Sequence, residues 1–97
     1  LDRQHYETAL RLDPFSASAP LNMGVELAKL GRLDEAGDYF RQALEIDPNS
    51  VEANFNLGVF LAKQNRYDEA AERFYHVLRI KPDSDRARDW LRRLGRP

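Results

Sequence analysis

The sequence predicts an all-α fold in which short helices stack as a repeated array. Residues 17–50 and 51–84 align without a gap over 34 residues, and 16 of these positions are identical. The identical positions include the small and rigid residues Gly24/Gly58, Ala36/Ala70 and Pro48/Pro82. A repeat of this length is typical of a solenoid, in which each unit buries its apolar face only against its neighbours. We therefore expect function to lie on a surface that several units build together.

Each 34-residue unit contains two predicted helices. In the first unit an apolar stripe at helical spacing covers residues 17–30 and stops at Gly31, which suits the left-handed backbone of a helix end. A second stripe covers residues 33–46 and ends ahead of Pro48, because the residue before a proline disfavours helical geometry. The second unit repeats this pattern, with Asn65 in the place of Gly31. Asparagine is the next best residue at positive φ.

A serine stands at the same phase before three of the predicted helices. Its hydroxyl can accept a hydrogen bond from an unpaired backbone N–H, so we predict N-caps at Ser16, Ser50 and Ser84. Glu52 and Asp85 follow in the first turn of their helices, where the helix dipole favours a negative charge.

The two ends of the chain differ from the central units. Residues 1–16 match the second half of a unit, so the chain opens inside a unit, as an excised piece of a longer protein would. Residues 85–97 supply one more helix with a single apolar stripe and an arginine-rich opposite face, which suits a terminal cap. The expected domain is a half repeat (1–16), two repeats (17–50 and 51–84) and a capping helix (85–97). Its six helices are predicted at 1–12, 17–30, 33–46, 51–64, 67–80 and 85–94.

Composition and charge exclude several classes of function. The net charge is −1, which gives no global reason to bind nucleic acid, and no apolar run is long enough to insert into a membrane. The charge is uneven, since residues 1–78 carry a net −5 and residues 79–97 carry a net +4. The chain has no cysteine, which excludes thiolate chemistry but leaves its cellular compartment open. His5 and His76 lack a second ligand at metal spacing, and no phosphate loop or nucleophile motif occurs. We therefore expect no enzyme activity, cofactor or metal.

The repeated residues identify a family resemblance. Gly24, Ala36, Phe40, Pro48 and the Ala43-Leu44 pair stand where a tetratricopeptide repeat has them. The second unit matches with Gly58, Ala70, Phe74 and Pro82, but has Val77 where alanine is usual. The chain thus resembles a tetratricopeptide repeat protein over residues 1–84. The resemblance implies a right-handed superhelical array of antiparallel helix pairs, an α-solenoid, whose first helices line a concave groove that binds peptide segments of other proteins.

The resemblance also implies which residues face that groove, at positions 2, 5, 6, 9, 12 and 13 of each unit. The peptide-binding residues predicted from these positions are Leu21, Asn22, Val25, Lys29, Phe55, Asn56, Val59 and Lys63. The family's clamp for chaperone carboxyl termini needs Lys and Asn at positions 5 and 9, where this chain has apolar residues, so chaperone tails are disfavoured as partners. Asn22 and Asn56 instead resemble an asparagine ladder, in which side-chain amides donate to and accept from an extended peptide backbone.

Each of these residues also has a purely structural interpretation. Asn22 and Asn56 suit a solvated helix face, Leu21 and Phe55 suit packing between helices, and the two lysines suit the negative end of the helix dipole. Trp90 is expected to anchor the cap in the core, with a role as a binding aromatic as the alternative. The arginines from 86 to 96 are expected to form a solvated face, with an acidic partner as the alternative.

Two other functions are compatible with the same pattern. The array could be a substrate-recruiting or regulatory appendage of a larger enzyme such as a glycosyltransferase, or a scaffold unit that assembles end to end. Helix 1–12 lacks the first helix of its own unit, so its apolar stripe is predicted to be exposed and to favour fraying or self-association. That stripe consists of Leu1, His5, Tyr6, Ala9, Leu10 and Leu12.

Overall fold

A computed structural model describes residues 16–97, and this part of the chain is helical without a strand. Its five helices are α1 (Ser18–Lys29), α2 (Leu33–Ile46), α3 (Val51–Lys63), α4 (Tyr67–Ile80) and α5 (Asp85–Arg93). The all-α prediction is confirmed, and each bound lies within one residue of the predicted one. Six helices were expected and five are found. The predicted helix 1–12, with its exposed stripe, falls outside the described residues.

The turns inside the units adopt the predicted left-handed backbone. Gly31 has a φ of 78° and Asn65 a φ of 63°, and Gly95 ends α5 in the same way with a φ of 74°. The residue that follows each of them donates its N–H back into the preceding helix. These three hydrogen bonds are Arg32 N–Leu27 O (2.9 Å), Arg66 N–Leu61 O (2.9 Å) and Arg96 N–Leu91 O (2.8 Å). Three helices therefore end by one mechanism, which satisfies carbonyl groups that a helix end leaves unpaired.

Two of the three predicted N-caps are confirmed, and one is wrong. Ser50 Oγ accepts from Ala53 N at 3.1 Å, and Ser84 Oγ accepts from Ala87 N at 3.3 Å. Helix α1 instead has Ala17 at its N-cap, without a side-chain hydrogen bond. Ser16 Oγ lies 2.6 Å from Ser18 Oγ and accepts from Ser18 N, so a local serine pair competes with capping. The second and third units have Glu52 and Arg86 at the place of Ser18, with no hydroxyl to compete.

Close approach within each helix pair depends on glycine facing phenylalanine. A Cβ atom at Gly24 would lie 2.6 Å from the Phe40 ring, and one at Gly58 would lie 2.8 Å from the Phe74 ring. Such distances are too short for any real side chain, so only glycine allows the two helices to pack with the ring between them. Ala36 and Ala70, on the opposite helices, are fully buried.

The core continues from one unit into the next because each helix packs on the one that follows it. At the junction of α2 and α3 a Cβ atom at Gly37 would lie 2.5 Å from the Phe60 ring, so glycine again makes room for an aromatic side chain. Helix α1 also contacts α3 directly. The first helices of the two complete units are therefore neighbours.

Candidate functional site

The predicted groove residues lie on α1 and α3, the first helices of the two complete units. We call the surface formed by repeat positions 2, 5, 6, 9, 12 and 13 of α1, α3 and α5 the groove face. Helix α1 contacts α3, so the predicted residues of the two units lie on neighbouring helices. Their side-chain chemistry divides them into a polar group, an apolar group and two lysines.

Asn22 and Asn56 form the polar group of the groove face. Asn22 is exposed and Asn56 half-buried, and neither side chain makes a hydrogen bond with any residue in 16–97. Asn54, only two residues from Asn56, is fully buried and its amide is saturated. Its Nδ2 donates to Pro48 O at 3.0 Å and to Ser50 O at 2.8 Å, and its Oδ1 accepts from Arg73 Nη1 at 3.0 Å. One asparagine of α3 is thus committed to the fold, and the next is available to a ligand.

An apolar group lies beside the asparagines. Leu21 and Phe55 are 8% and 7% exposed and belong to the core, as their packing interpretation predicts. Val25 and Val59 are half-buried and pack against that core. The valines therefore present apolar surface to solvent, whereas Leu21 and Phe55 belong to the core against which the valines pack.

The two lysines are the third group and lie at the helix ends. Both are exposed in the last turn of their helices, where the helix dipole favours a positive charge. Lys29 pairs with Glu26 at 3.6 Å, whereas Lys63 has no ion pair within the described part of the chain. This placement matches the structural interpretation of the lysines and does not by itself indicate ligand binding.

Helix α5 extends the groove face beyond the residues that the sequence singled out. Its repeat positions 2, 5, 6 and 9 hold Arg86, Asp89, Trp90 and Arg93, which together with Phe55 of α3 line an open pocket of about 150 Å³. Sequence reasoning treated residues 85–97 only as a cap and did not carry the groove positions into it. The repeat numbering would have found them, because Asp85 stands at the same phase as Val51.

Aromatic rings connect this pocket to the core. The Phe74 ring centroid lies 5.5 Å from that of Phe55 and 5.6 Å from that of Trp90, with the Trp90 ring stacked at 10°. Trp90 is only half-buried, so it anchors the cap through Phe74 and also presents surface to the pocket. The two interpretations of this residue therefore do not exclude each other.

Two arginines lie over these rings from the solvent side. The Arg86 guanidinium carbon is 4.2 Å from the Phe55 ring centroid, and that of Arg93 is 5.1 Å from the Trp90 centroid. Cation–π contacts of this kind favour one orientation of an otherwise flexible side chain. Arg86 and Arg93 are therefore solvent-exposed, as expected for a solvated face, and they also contact aromatic rings.

No group of three or more His, Cys, Asp or Glu side chains in residues 16–97 is arranged to hold a metal ion. None of the described helices is both long enough and apolar enough to cross a membrane.

The stacked helix pairs and their shared face define the chain as an α-solenoid. A sequence model of the family described as "Tetratricopeptide repeat" matches residues 27–94. The chain belongs to the tetratricopeptide repeat (TPR) family. No curated protein matched the sequence.

Solved structures agree with this assignment. The Arabidopsis OM64 TPR domain is 28% identical with a TM-score of 0.86, and the alignment covers 93% of this chain and 74% of that one. The first TPR of Spaghetti (RPAP3), bound to an HSP90 peptide, is 20% identical with a TM-score of 0.87 over 93% of this chain and 71% of that one. The second TPR domain of human RPAP3, in complex with an HSP70 peptide, is 23% identical with a TM-score of 0.84 over 95% and 77%.

Proposed function

We propose that this protein is a non-catalytic interaction module that binds an extended peptide segment of a partner protein along the groove face. The observation that carries the proposal is the pair Asn22 and Asn56. They occupy one repeat position on neighbouring helices, and both amides are unused within the described residues. A side-chain amide both donates and accepts, so each can pair with the backbone of an extended peptide whatever its sequence.

The apolar surface beside the asparagines supports the same proposal. Val25 and Val59 offer half-buried side chains at one further repeat position. A peptide whose backbone meets the asparagines would place alternate side chains on this surface, because side chains of an extended chain alternate in direction. Backbone hydrogen bonds would then supply general affinity, and the apolar contacts a preference for peptides with apolar residues.

The structural neighbours support peptide binding in general but not the same peptide. Two of them were solved with HSP90 or HSP70 peptides. In this chain the clamp positions 5 and 9 hold Leu21 and Val25, or Phe55 and Val59, none of which can pair with a carboxylate. We therefore propose a partner other than a chaperone carboxyl terminus.

The test uses peptides selected on the protein itself from a random decapeptide library displayed on phage. Binding of a selected, fluorescently labelled peptide would be measured by anisotropy for the wild type and for N22A/N56A. Each lost hydrogen bond is worth about 1 kcal/mol, so the double variant should bind about tenfold or more weakly.

Asn49→Ala is the matched control, because Asn49 is an exposed asparagine in the turn between α2 and α3, off the groove face. It should bind like the wild type, and all three proteins should keep the same helical circular dichroism. Equal affinity of N22A/N56A and wild type would reject the asparagine ladder.

A further inference from the structure

We propose that Arg86 and Arg93 form a site for the acidic side chains of a bound peptide, at internal positions of that peptide and without need of its carboxyl terminus. The proposal rests on the proposed function and names the chemistry of the partner. It also assigns a role to the pocket between α3 and α5, which the prediction from sequence left out.

Two of the four arginines of α5, Arg86 and Arg93, are not used in ion pairs within residues 16–97. The helix contains four arginines and two aspartates. Asp85 pairs with Arg88 at 3.7 Å and Asp89 with Arg92 at 3.0 Å. The two remaining arginines have no ion-pair partner anywhere in residues 16–97, so their charge is available to a ligand.

These two arginines are also the ones that lie over the pocket's aromatic rings. The guanidinium carbon of Arg86 lies over Phe55 and that of Arg93 over Trp90. Neither guanidinium makes a hydrogen bond or an ion pair within residues 16–97, and its fork of N–H groups matches the two oxygens of a carboxylate. Because the rings are themselves held by Phe74, the arginines lose less conformational freedom on binding than unsupported surface arginines would.

Arg86 and Arg93 lie where the proposed peptide would continue beyond α3, so its acidic residues are expected in that part of the peptide. Arg86 and Arg93 are seven residues apart on one helix face, about 10 Å along the axis, and both line the same pocket. Trp90, between them, stands at the same repeat position as Asn22 and Asn56. A peptide that follows the asparagines from α1 to α3 therefore reaches the arginines next.

Local charge favours a short acidic peptide over a nucleic acid. Residues 79–97 carry a net +4, but Asp89 lines the arginine pocket itself, and Glu52 lines the neighbouring pocket of about 410 Å³, which Arg86 also lines. A polyphosphate would meet these negative charges along its length, whereas one or two carboxylates need only the arginine pair.

The first experiment is the phage selection described above, analysed for charge. The displayed decapeptides have no free carboxyl terminus, so enrichment can come only from internal residues. The wild type should enrich Asp and Glu at one or two positions, and R86Q/R93Q should select peptides without that enrichment. R79Q/R88Q is the control, because it removes the same charge from two exposed arginines that do not line the pocket.

The second experiment measures affinity with the best selected peptide, made with an amidated carboxyl terminus and again with its acids replaced by Asn or Gln. For the acidic peptide R86Q/R93Q should bind about tenfold or more weakly than wild type, as expected for charge-assisted hydrogen bonds. R79Q/R88Q should stay within about twofold, since exposed and distant charges are screened. For the amide peptide R86Q/R93Q and wild type should bind alike.

The outcomes separate this proposal from the one on which it rests. Selected peptides without acidic enrichment, or equal enrichment with R86Q/R93Q, would overturn the arginine site and leave peptide binding intact. Failure to select any peptide would overturn both proposals. Tighter, arginine-dependent binding of a 12-nucleotide single-stranded DNA than of every selected peptide would overturn the assignment to peptides.

Discussion

The two complete repeats share one frame but differ in how that frame is held and used. In both units a glycine of the first helix faces a phenylalanine of the second, at Gly24/Phe40 and Gly58/Phe74. Beyond this pair the units diverge. The second unit begins with a serine cap, whereas the first begins at Ala17 without one.

The second unit is also tied more firmly to its neighbours. Asn54 joins the turn before α3 to Arg73 of α4 through three hydrogen bonds, and the first unit has Pro20 at the equivalent position. Phe74 stacks with rings of both α3 and α5, whereas Phe40 makes no such ring pair within residues 16–97. The residues that repeat therefore determine how the two helices of a unit pack. The residues that vary determine the additional hydrogen bonds and ring contacts, and the chemistry of the proposed binding surface.

The largest expected effect tests the shared frame. Gly24→Leu and Gly58→Leu should each lower the free energy of unfolding by about 3 kcal/mol, at or above the usual cost of overpacking, because even a Cβ atom collides with the facing ring. Denaturant unfolding followed by circular dichroism measures this. If either variant unfolded at the wild-type midpoint, the helices would not be in close contact in that unit.

An intermediate effect tests the additional hydrogen bonds that Asn54 makes in the second unit. Asn54→Ala should cost about 2 kcal/mol, because it removes three side-chain hydrogen bonds of a fully buried residue and takes this partner away from Arg73 Nη1 and Pro48 O. Asn56→Ala, two residues away on the same helix, should change the stability by less than about 0.5 kcal/mol, as usual for a surface substitution. Equal losses for the two variants would contradict the division between a structural and a free asparagine.

The smallest effect tests the helix starts. Ser50→Ala should cost about 1 kcal/mol, because the hydroxyl caps Ala53 N. Ser16→Ala should cost distinctly less, because its hydroxyl mainly pairs with Ser18 rather than capping α1. Denaturant unfolding midpoints of the two variants measure this difference in stability. A larger loss of stability for Ser16→Ala than for Ser50→Ala would show that Ser16 does cap α1.

Most of the helical frame could be predicted from the sequence because its signals are local. A glycine or asparagine at positive φ ends a helix wherever it stands, so Gly31 and Asn65 located the turns within a residue. The period of 34 residues then placed both units in one register. The eight groove residues remain a prediction from the family resemblance. The N-cap predicted at Ser16 is wrong because its hydroxyl bonds with the Ser18 hydroxyl and the Ser18 N–H instead of capping α1.

Only the tertiary structure decided which side chains are used internally and which remain free. Asn54 and Asn56 are alike in sequence, but contacts with Pro48, Ser50 and Arg73 bury one of them and leave the other open. The arginines of α5 are equally alike, yet two of them form ion pairs within the helix, and the other two lie over aromatic rings, Arg93 over Trp90 of the same helix and Arg86 over Phe55 of α3. Helix periodicity fixes the direction of a side chain from its own segment. A partner such as Phe55, 31 positions before Arg86, comes from a distant segment that no local pattern encodes.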